Sequence, residues 1–280
     1  MNGLAMKTSA LYCRRDMDGV DLHRFVGGTA AVFTTRSPEK ETPNEDAAAV
    51  IFNDERSGAL LVADGLGGLR SGELASQTVV DSLNSALEHS TGENGSLRTG
   101  ILDGIEEGNR RLCEMAIGAA TTLAIVELRQ RTVRPFHIGD TVILIIGQRG
   151  KIKLQTISHS PIGFAVESGL LDEVDAIHHE DRHLVSNVVG TPEMRIEIGS
   201  EIELAARDTL LIASDGLLDN LQVDEIVDRV RVGPLQRAVA RLAKDAGQRM
   251  RNGDANSIHP SKPDDLTIVA FRPTSQAGEF

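Results

Sequence analysis

Near-continuous apolar runs, rather than strict alternation, dominate the hydrophobic pattern, at 30–35, 47–52, 59–63, 121–128, 142–146, 209–214 and 266–271. Runs this short, rich in Val, Ile and Leu and bounded by Gly, Asn or Asp, read as strands. Asn44-Glu45-Asp46 opens the second run, and 53–58 turns the chain into the third, which ends at Asp64. That pair reads as a hairpin, with Glu45, Asp46 and Asp64 at one end. Helical spacing takes over from 71 to 89, where Leu74, Ala75, Val79, Leu83, Ala86 and Leu87 recur at three and four. A second helix is predicted over 97–117. Strands at 121–128, 133–138, 142–146 and 151–157 follow with short turns, the pattern of a β-meander. Regularity is lost over 158–190, where an inserted, mobile flap is expected. Strands resume at 195–204 and 209–214, then helices at 223–230 and 235–250 and a last strand. Strands, helices, strands, helices, strand predicts an α+β fold of antiparallel sheets covered by helices, not a wound βαβ fold.

Four of the strands carry acid at an end. Two run into Asp-Gly, at Asp64-Gly65 and Asp215-Gly216; a third ends at Gly139-Asp140, and the last is preceded by Asp264-Asp265. Any one such acid reads as a turn residue. Together, if the strands lie side by side, they predict one rim with an all-oxygen site for Mg²⁺ or Mn²⁺, because a carboxylate at the end of a buried run needs a compensating cation.

With 280 residues, 40% of them hydrophobic, and no low-complexity hinge, one domain is expected. A net charge of −12 argues against a nucleic-acid partner or an anionic membrane, both of which need a basic face. Cys13 and Cys113 have no CxxC spacing and read as plain thiols of a reducing compartment. No signal-like start is present, and the longest uncharged apolar run, 115–126, is too short to span a bilayer, so a cytoplasmic location is expected.

The acidic segments, with their surroundings, resemble a known family. Asn44-Glu45-Asp46, Asp64-Gly65-Leu66-Gly67-Gly68 with Gly72, Ala75 and Ser76, Thr121-Thr122-Leu123, His137-Ile138-Gly139-Asp140, Ser214-Asp215-Gly216-Leu217 with Asp219, and Asp264-Asp265-Leu266-Thr267 occur in the order found in metal-dependent protein serine/threonine phosphatases of type 2C. The resemblance spans about residues 28 to 272, and the ordered set is specific where each motif alone is weak. It implies a four-layer α-β-β-α sandwich of two antiparallel sheets flanked by helices. It implies a phosphatase domain over 25–273, with 1–24 a tail or accessory strand and 274–280 a C-terminal tail. It further implies two Mn²⁺ or Mg²⁺ ions, with a third in relatives. By that likeness the catalytic carboxylates are Asp64, bridging both ions, and Asp215 and Asp264, completing the first; the Gly65 carbonyl serves the second ion. Glu45 and Asp46 act near the second ion largely through water, and Asp140 serves the third. The implied reaction is hydrolysis of phosphoserine and phosphothreonine by direct attack of a water held between the ions. The implied partner is a phosphorylated protein, with a cognate kinase, and the chain is expected to be a monomer.

The chain departs from the pattern in three places. Arg36, the residue expected to bind phosphate, precedes Asn44 by eight, with Pro38 and Pro43 between. Leu66 stands where many eukaryotic relatives carry a histidine, a bacterial style. Thr141-Val142 and Asp265 replace the usual Ser-Arg and Asn. Other readings compete. His179-Glu180-Asp181-Arg182-His183 fits the HExxH spacing of zinc peptidases, but the residues after it, 184–190, read as a strand rather than a helix. A partner-binding pseudophosphatase would be expected to lack metal ligands, yet Asp64, Asp215 and Asp264 are present. Asp64-Gly65-Leu66-Gly67-Gly68 has no GKS or GKT after it, as a nucleotide loop would.

Overall fold

Strands that are apolar at every position must be covered on both faces, and the architecture follows from that demand. The computed structural model describes residues 8–66, 71–89, 96–176, 179, 181, 184–253 and 260–274. One antiparallel sheet runs in the order β1 (Ala10–Cys13), β4 (Ala47–Phe52), β5 (Ser57–Ala63), β8 (Leu123–Arg129), β9 (Thr132–Ile138), with β12 (Glu197–Ile198) and β13 (Ile202–Glu203) both on β9. The other runs β11 (Ile152–Gln155), β10 (Val142–Ile146), β14 (Thr209–Ala213), β15 (Leu266–Pro273), β3 (Gly28–Thr35), β2 (Asp21–Phe25). A two-residue ribbon, β6 (Gly65–Leu66) on β7 (Ala120–Thr121), extends from the site end of the first sheet.

Successive residues of one strand serve different layers. Ala47, Ala49, Ile51, Leu61 and Ala63 pack under α1 (Gly72–His89) and α2 (Leu97–Met115), against Val79, Leu83 and Ile101. Their neighbours Ala48, Val50, Leu60 and Val62 face the second sheet and meet Val32, Ile143, Ile212 and Phe271. On its far side that sheet buries Leu144, Leu211, Ile268 and Ala270 under α6 (Val223–Val230) and α7 (Leu235–Asn252), through Ile226, Val239 and Leu242. Helices, sheet, sheet, helices is the four-layer α+β sandwich that the sequence implies.

Two expectations are corrected. The acid-bearing strands do not lie side by side in one sheet: β5 and β9 belong to the first, β14 and β15 to the second, and their ends converge across the sandwich. Nor is 121–157 one meander. β8 pairs with β9 and β10 with β11, but β9 and β10 are in different sheets. The chain crosses at Gly139-Asp140-Thr141, where Gly139 takes φ +103°, a backbone region costly for any residue with a side chain.

Between β11 and β12 lie two short helices, α3 (Pro161–Glu167) and α4 (Glu173–Ala176), more order than the sequence suggests. Ser160 starts α3 by accepting the Gly163 amide, with Pro161 in its first turn. Residues 184–190 do not form the expected strand; Val189 makes a single bridge to Thr121. Of the HExxH segment, Glu180, Arg182 and His183 lie outside the described residues. The short α5 (Asp215–Leu218) starts directly after β14.

Candidate metal centre

Each candidate carboxylate is delivered by an element end that the core fixes. Asp46 sits one residue before β4 and is 1% exposed. Its Oδ2 accepts from the buried Ser214 hydroxyl at 2.8 Å, and Ser214 Oγ accepts the Thr267 amide at 3.0 Å, tying the first sheet to the second. Asp46 Oδ1 is buried with no protein partner. Asp64 follows β5, and its backbone carbonyl accepts the Thr122 amide at 2.9 Å and the Thr121 hydroxyl at 2.7 Å, which fixes the main chain there. Asp215 opens α5, Asp264 precedes β15, and Asp140 occupies the crossing between sheets.

The charges gathered there conflict. Burial first, then Asp46, Asp215, Asp264 and Asp140, raises Asp64 well above the ordinary carboxylate range. Burial and then Asp264 and Asp219 do the same to Asp215. Burial and the charge of Asp265 push Asp46 up to about 8, and burial pushes Asp140 up to about 6. Such a set favours ionisation only when cations compensate it. Two lysines do so in part. Lys262 Nζ lies 3.1 Å from Asp215 Oδ2, 2.7 Å from Asp219 Oδ2 and 2.9 Å from Asp264 Oδ2. Lys40 Nζ lies 2.6 Å from both Glu45 Oε2 and Asp265 Oδ2. An all-oxygen donor set, a buried carboxylate oxygen without a partner and protein cations already drawn into the cluster fit hard divalent ions.

Asp265 organises the approach. Besides Lys40, it accepts the amides of Ser37 and Glu45, each at 2.7 Å, so it pins the loop between β3 and β4 against the rim. Arg36 is not brought into the cluster. Its Nε pairs with Asp16 at 3.3 Å, and it lines a groove of ≈ 550 Å³ with Phe33, Lys244, Met250 and Arg251, none of them site carboxylates. No sequence motif pointed to Lys40 or Lys262, and Asp265 stood out only as a replacement for the usual Asn. The signal for Lys262 was its place two residues before Asp264.

A second group of donors, His137, His159 and Glu197, gathers behind Asp140. His159 Nδ1 accepts the Gly139 amide at 3.1 Å, so the proton of the neutral ring sits on Nε2, 2.8 Å from Glu197. That tautomer anchors the flap to the crossing and leaves Nε2 no lone pair for a metal. Burial, reinforced by His159, lowers His137 from 6.5 to about 4. A folded value below the unfolded one means the neutral ring supports the fold above pH 6.5, and that support is lost as pH falls toward 4. Relative to His137→Gln, the wild type should lose up to about 3 kcal/mol between pH 7 and pH 4 in urea titrations.

Residues 35–252 match the family model described as protein phosphatase 2C. A putative protein phosphatase 2C-type of Streptococcus pyogenes is 29% identical over 196 residues, 68% of this chain and 79% of that one. Serine/threonine phosphatase Stp1 from Staphylococcus aureus superposes with TM-score 0.75 at 25% identity, over 92% of this chain and 98% of that one. The catalytic domain of the serine/threonine protein phosphatase PstP, solved with two manganese ions, superposes with TM-score 0.68 at 24% identity, over 88% of this chain and 98% of that one. A carboxylate rim between two sheets and a family match over most of its length together place this chain in the bacterial type of the protein phosphatase 2C family, as a metal-dependent protein serine/threonine phosphatase.

Proposed function

We propose that Asp64, Asp215 and Asp264 are the catalytic carboxylates, holding two Mn²⁺ or Mg²⁺ ions with the Gly65 carbonyl, Glu45 and Asp46, and that Asp140 takes part in a third, weaker site. The observation that carries this reading is the convergence of half-buried, mutually repelling carboxylates from both sheets, with Asp46 Oδ1 buried and left without a protein partner. Bound there, two divalent ions supply a water of lowered pKa for direct attack on phosphorus and neutralise the charge that develops.

The chain's own groups do the rest. Asp64, whose backbone carbonyl is held by Thr121 and Thr122, would contact both ions. Asp46, with one oxygen on Ser214 and the other buried without a protein partner, would serve the second ion through that free oxygen. Leu66 offers no proton to a leaving alkoxide, so no histidine acid acts at that position. Arg36 binds the substrate phosphate after releasing Asp16, its planar donors suiting two phosphate oxygens. Lys40, already beside Glu45, is the nearer cation to the rim. Arg36→Ala should raise KM about tenfold with kcat little changed. An unchanged KM, with the rise appearing in Lys40→Ala, moves the phosphate contact to Lys40.

The substrate is a phosphorylated protein. We further assign it a cognate kinase, a cytoplasmic location and a monomeric state; among the described residues no helix is long and apolar enough to cross a membrane. Hydrolysis of phosphothreonine and phosphoserine peptides with Mn²⁺, with Mg²⁺ and with chelator, comparing wild type with Asp215→Asn, tests the reading. Activity should require the ion and be lost in the variant; activity in chelator, or equal activity of both proteins, contradicts it.

A further inference from the structure

We infer that Lys262 is an internal competitor for a divalent ion: its ammonium holds the Asp215–Asp219–Asp264 cluster together, and an ion binding to Asp215 and Asp264 must first displace it. The inference rests on the assignment of those two aspartates as ion ligands.

The geometry is specific. One Nζ touches Oδ2 of all three carboxylates at 2.7–3.1 Å, and one carboxylate oxygen from each of the three lies within 4.8 Å of the others. A divalent ion taking the same oxygens of Asp215 and Asp264 would stand within a few ångströms of the ammonium, where two positive charges repel strongly. The lysine backbone cannot retreat. Its amide donates to Asn220 Oδ1 at 3.0 Å and its carbonyl accepts from Asn220 Nδ2 at 2.8 Å, while Asn220 itself is fully buried and donates to the Gly216 carbonyl. Only the four-carbon stem is free to move, and at 25% exposure it has a path to solvent. Asp219, the shortest of the three contacts, is placed to keep the ammonium when Asp215 and Asp264 turn to the ion. Lys262 therefore replaces electrostatically what one cation would do, and sets how much divalent ion the enzyme needs.

Calorimetric titration of the full-length protein with MnCl₂ tests this. Lys262→Gln should bind Mn²⁺ at least about tenfold more tightly than wild type, as expected on removing a like charge in direct contact with the ligands. Lys153→Gln removes the same formal charge from a pair with Asp208 outside the cluster and should stay within about twofold, which separates contact from net charge. Asp215→Asn should lose the tight phase. If it does and Lys262→Gln binds as wild type does, the lysine inference alone is overturned; if Asp215→Asn binds normally, the ligand assignment falls and the inference with it. The wild type gives a second readout that needs no variant. Acetylation of Lys262, followed by peptide mass spectrometry, should accelerate several-fold when Mn²⁺ is added, since the displaced amine keeps only Asp219 of its three carboxylate partners and swings toward solvent. Equal or slower labelling overturns the inference.

Discussion

Asp64→Asn will fold, melt at a higher temperature than the wild type in chelator, and retain less than roughly a thousandth of wild-type kcat/KM, a loss of about 4 kcal/mol in transition-state stabilisation. The two directions have one cause. In the metal-free protein Asp64 is a half-buried carboxylate crowded by Asp46, Asp215, Asp264 and Asp140, so ionising it at neutral pH works against the fold. Its raised folded value means that stability is lost as pH rises from the ordinary carboxylate range toward the folded value, and an amide of the same shape removes that cost. The same substitution removes the one carboxylate assigned to both ions. Scanning calorimetry in chelator and in Mn²⁺ separates the effects: the wild type should gain strongly from the ion and the variant little. A variant that melts below wild type in chelator and still responds fully to Mn²⁺ would show that Asp64 serves packing instead.

Gly65→Ala is expected to be nearly as damaging by a different route. A methyl group on Gly65 would stand 2.2 Å from the Gly72 carbonyl oxygen and 2.6 Å from that of Glu45, both backbone atoms. Gly72 begins α1, and Glu45 is held by the Ser76 hydroxyl on its carbonyl at 2.6 Å and by Asp265 on its amide. Relief must therefore come from separating α1, the 44–46 segment and β6, at a cost of about 1–3 kcal/mol or more. The separation would swing the Gly65 carbonyl and Glu45 away from the places proposed for them at the second ion. Urea unfolding should show the loss of stability, and activity at saturating Mn²⁺ should drop by roughly a hundredfold, the size of effect that misplaced metal surroundings produce. Wild-type Mn²⁺ affinity in a folded Gly65→Ala protein would remove that carbonyl from the ligand set.

The elements that sequence patterning placed best are those whose burial leaves a repeating signature. The bounds of β4, β10 and α6 coincide with the runs at 47–52, 142–146 and 223–230, because each is apolar on every face it must bury. The presentation of Asp64 and Asp215 was legible for a related reason: one strand-end Asp-Gly reads as a turn, but carboxylates recurring where several buried strands stop call for a compensating cation. What pattern could not supply was partnership between elements. The three-residue link at 139–141 suits a hairpin as well as a crossing, and only Gly139 at φ +103° and the second sheet behind it decide for the crossing. The cations were hidden for a similar reason. Lys40 and Lys262 sit in polar segments where a charged side chain is ordinarily solvated, and Lys262 meets Asp215 across 47 residues of chain. Arg36, already displaced from the family's usual spacing, is a guanidinium whose pairing with Asp16 no sequence pattern announces.

The central claim is that carboxylates from both sheets form one two-ion site around Asp64. Anomalous diffraction from crystals grown in MnCl₂ tests it most directly. Two strong peaks are expected, both at roughly 2.0–2.6 Å from Asp64 carboxylate oxygens, one of them shared with Asp215 and Asp264 and the other beside the Gly65 carbonyl. Peaks that avoid Asp64, or a single ion held by Asp215, Asp219 and Asp264 alone, would contradict it.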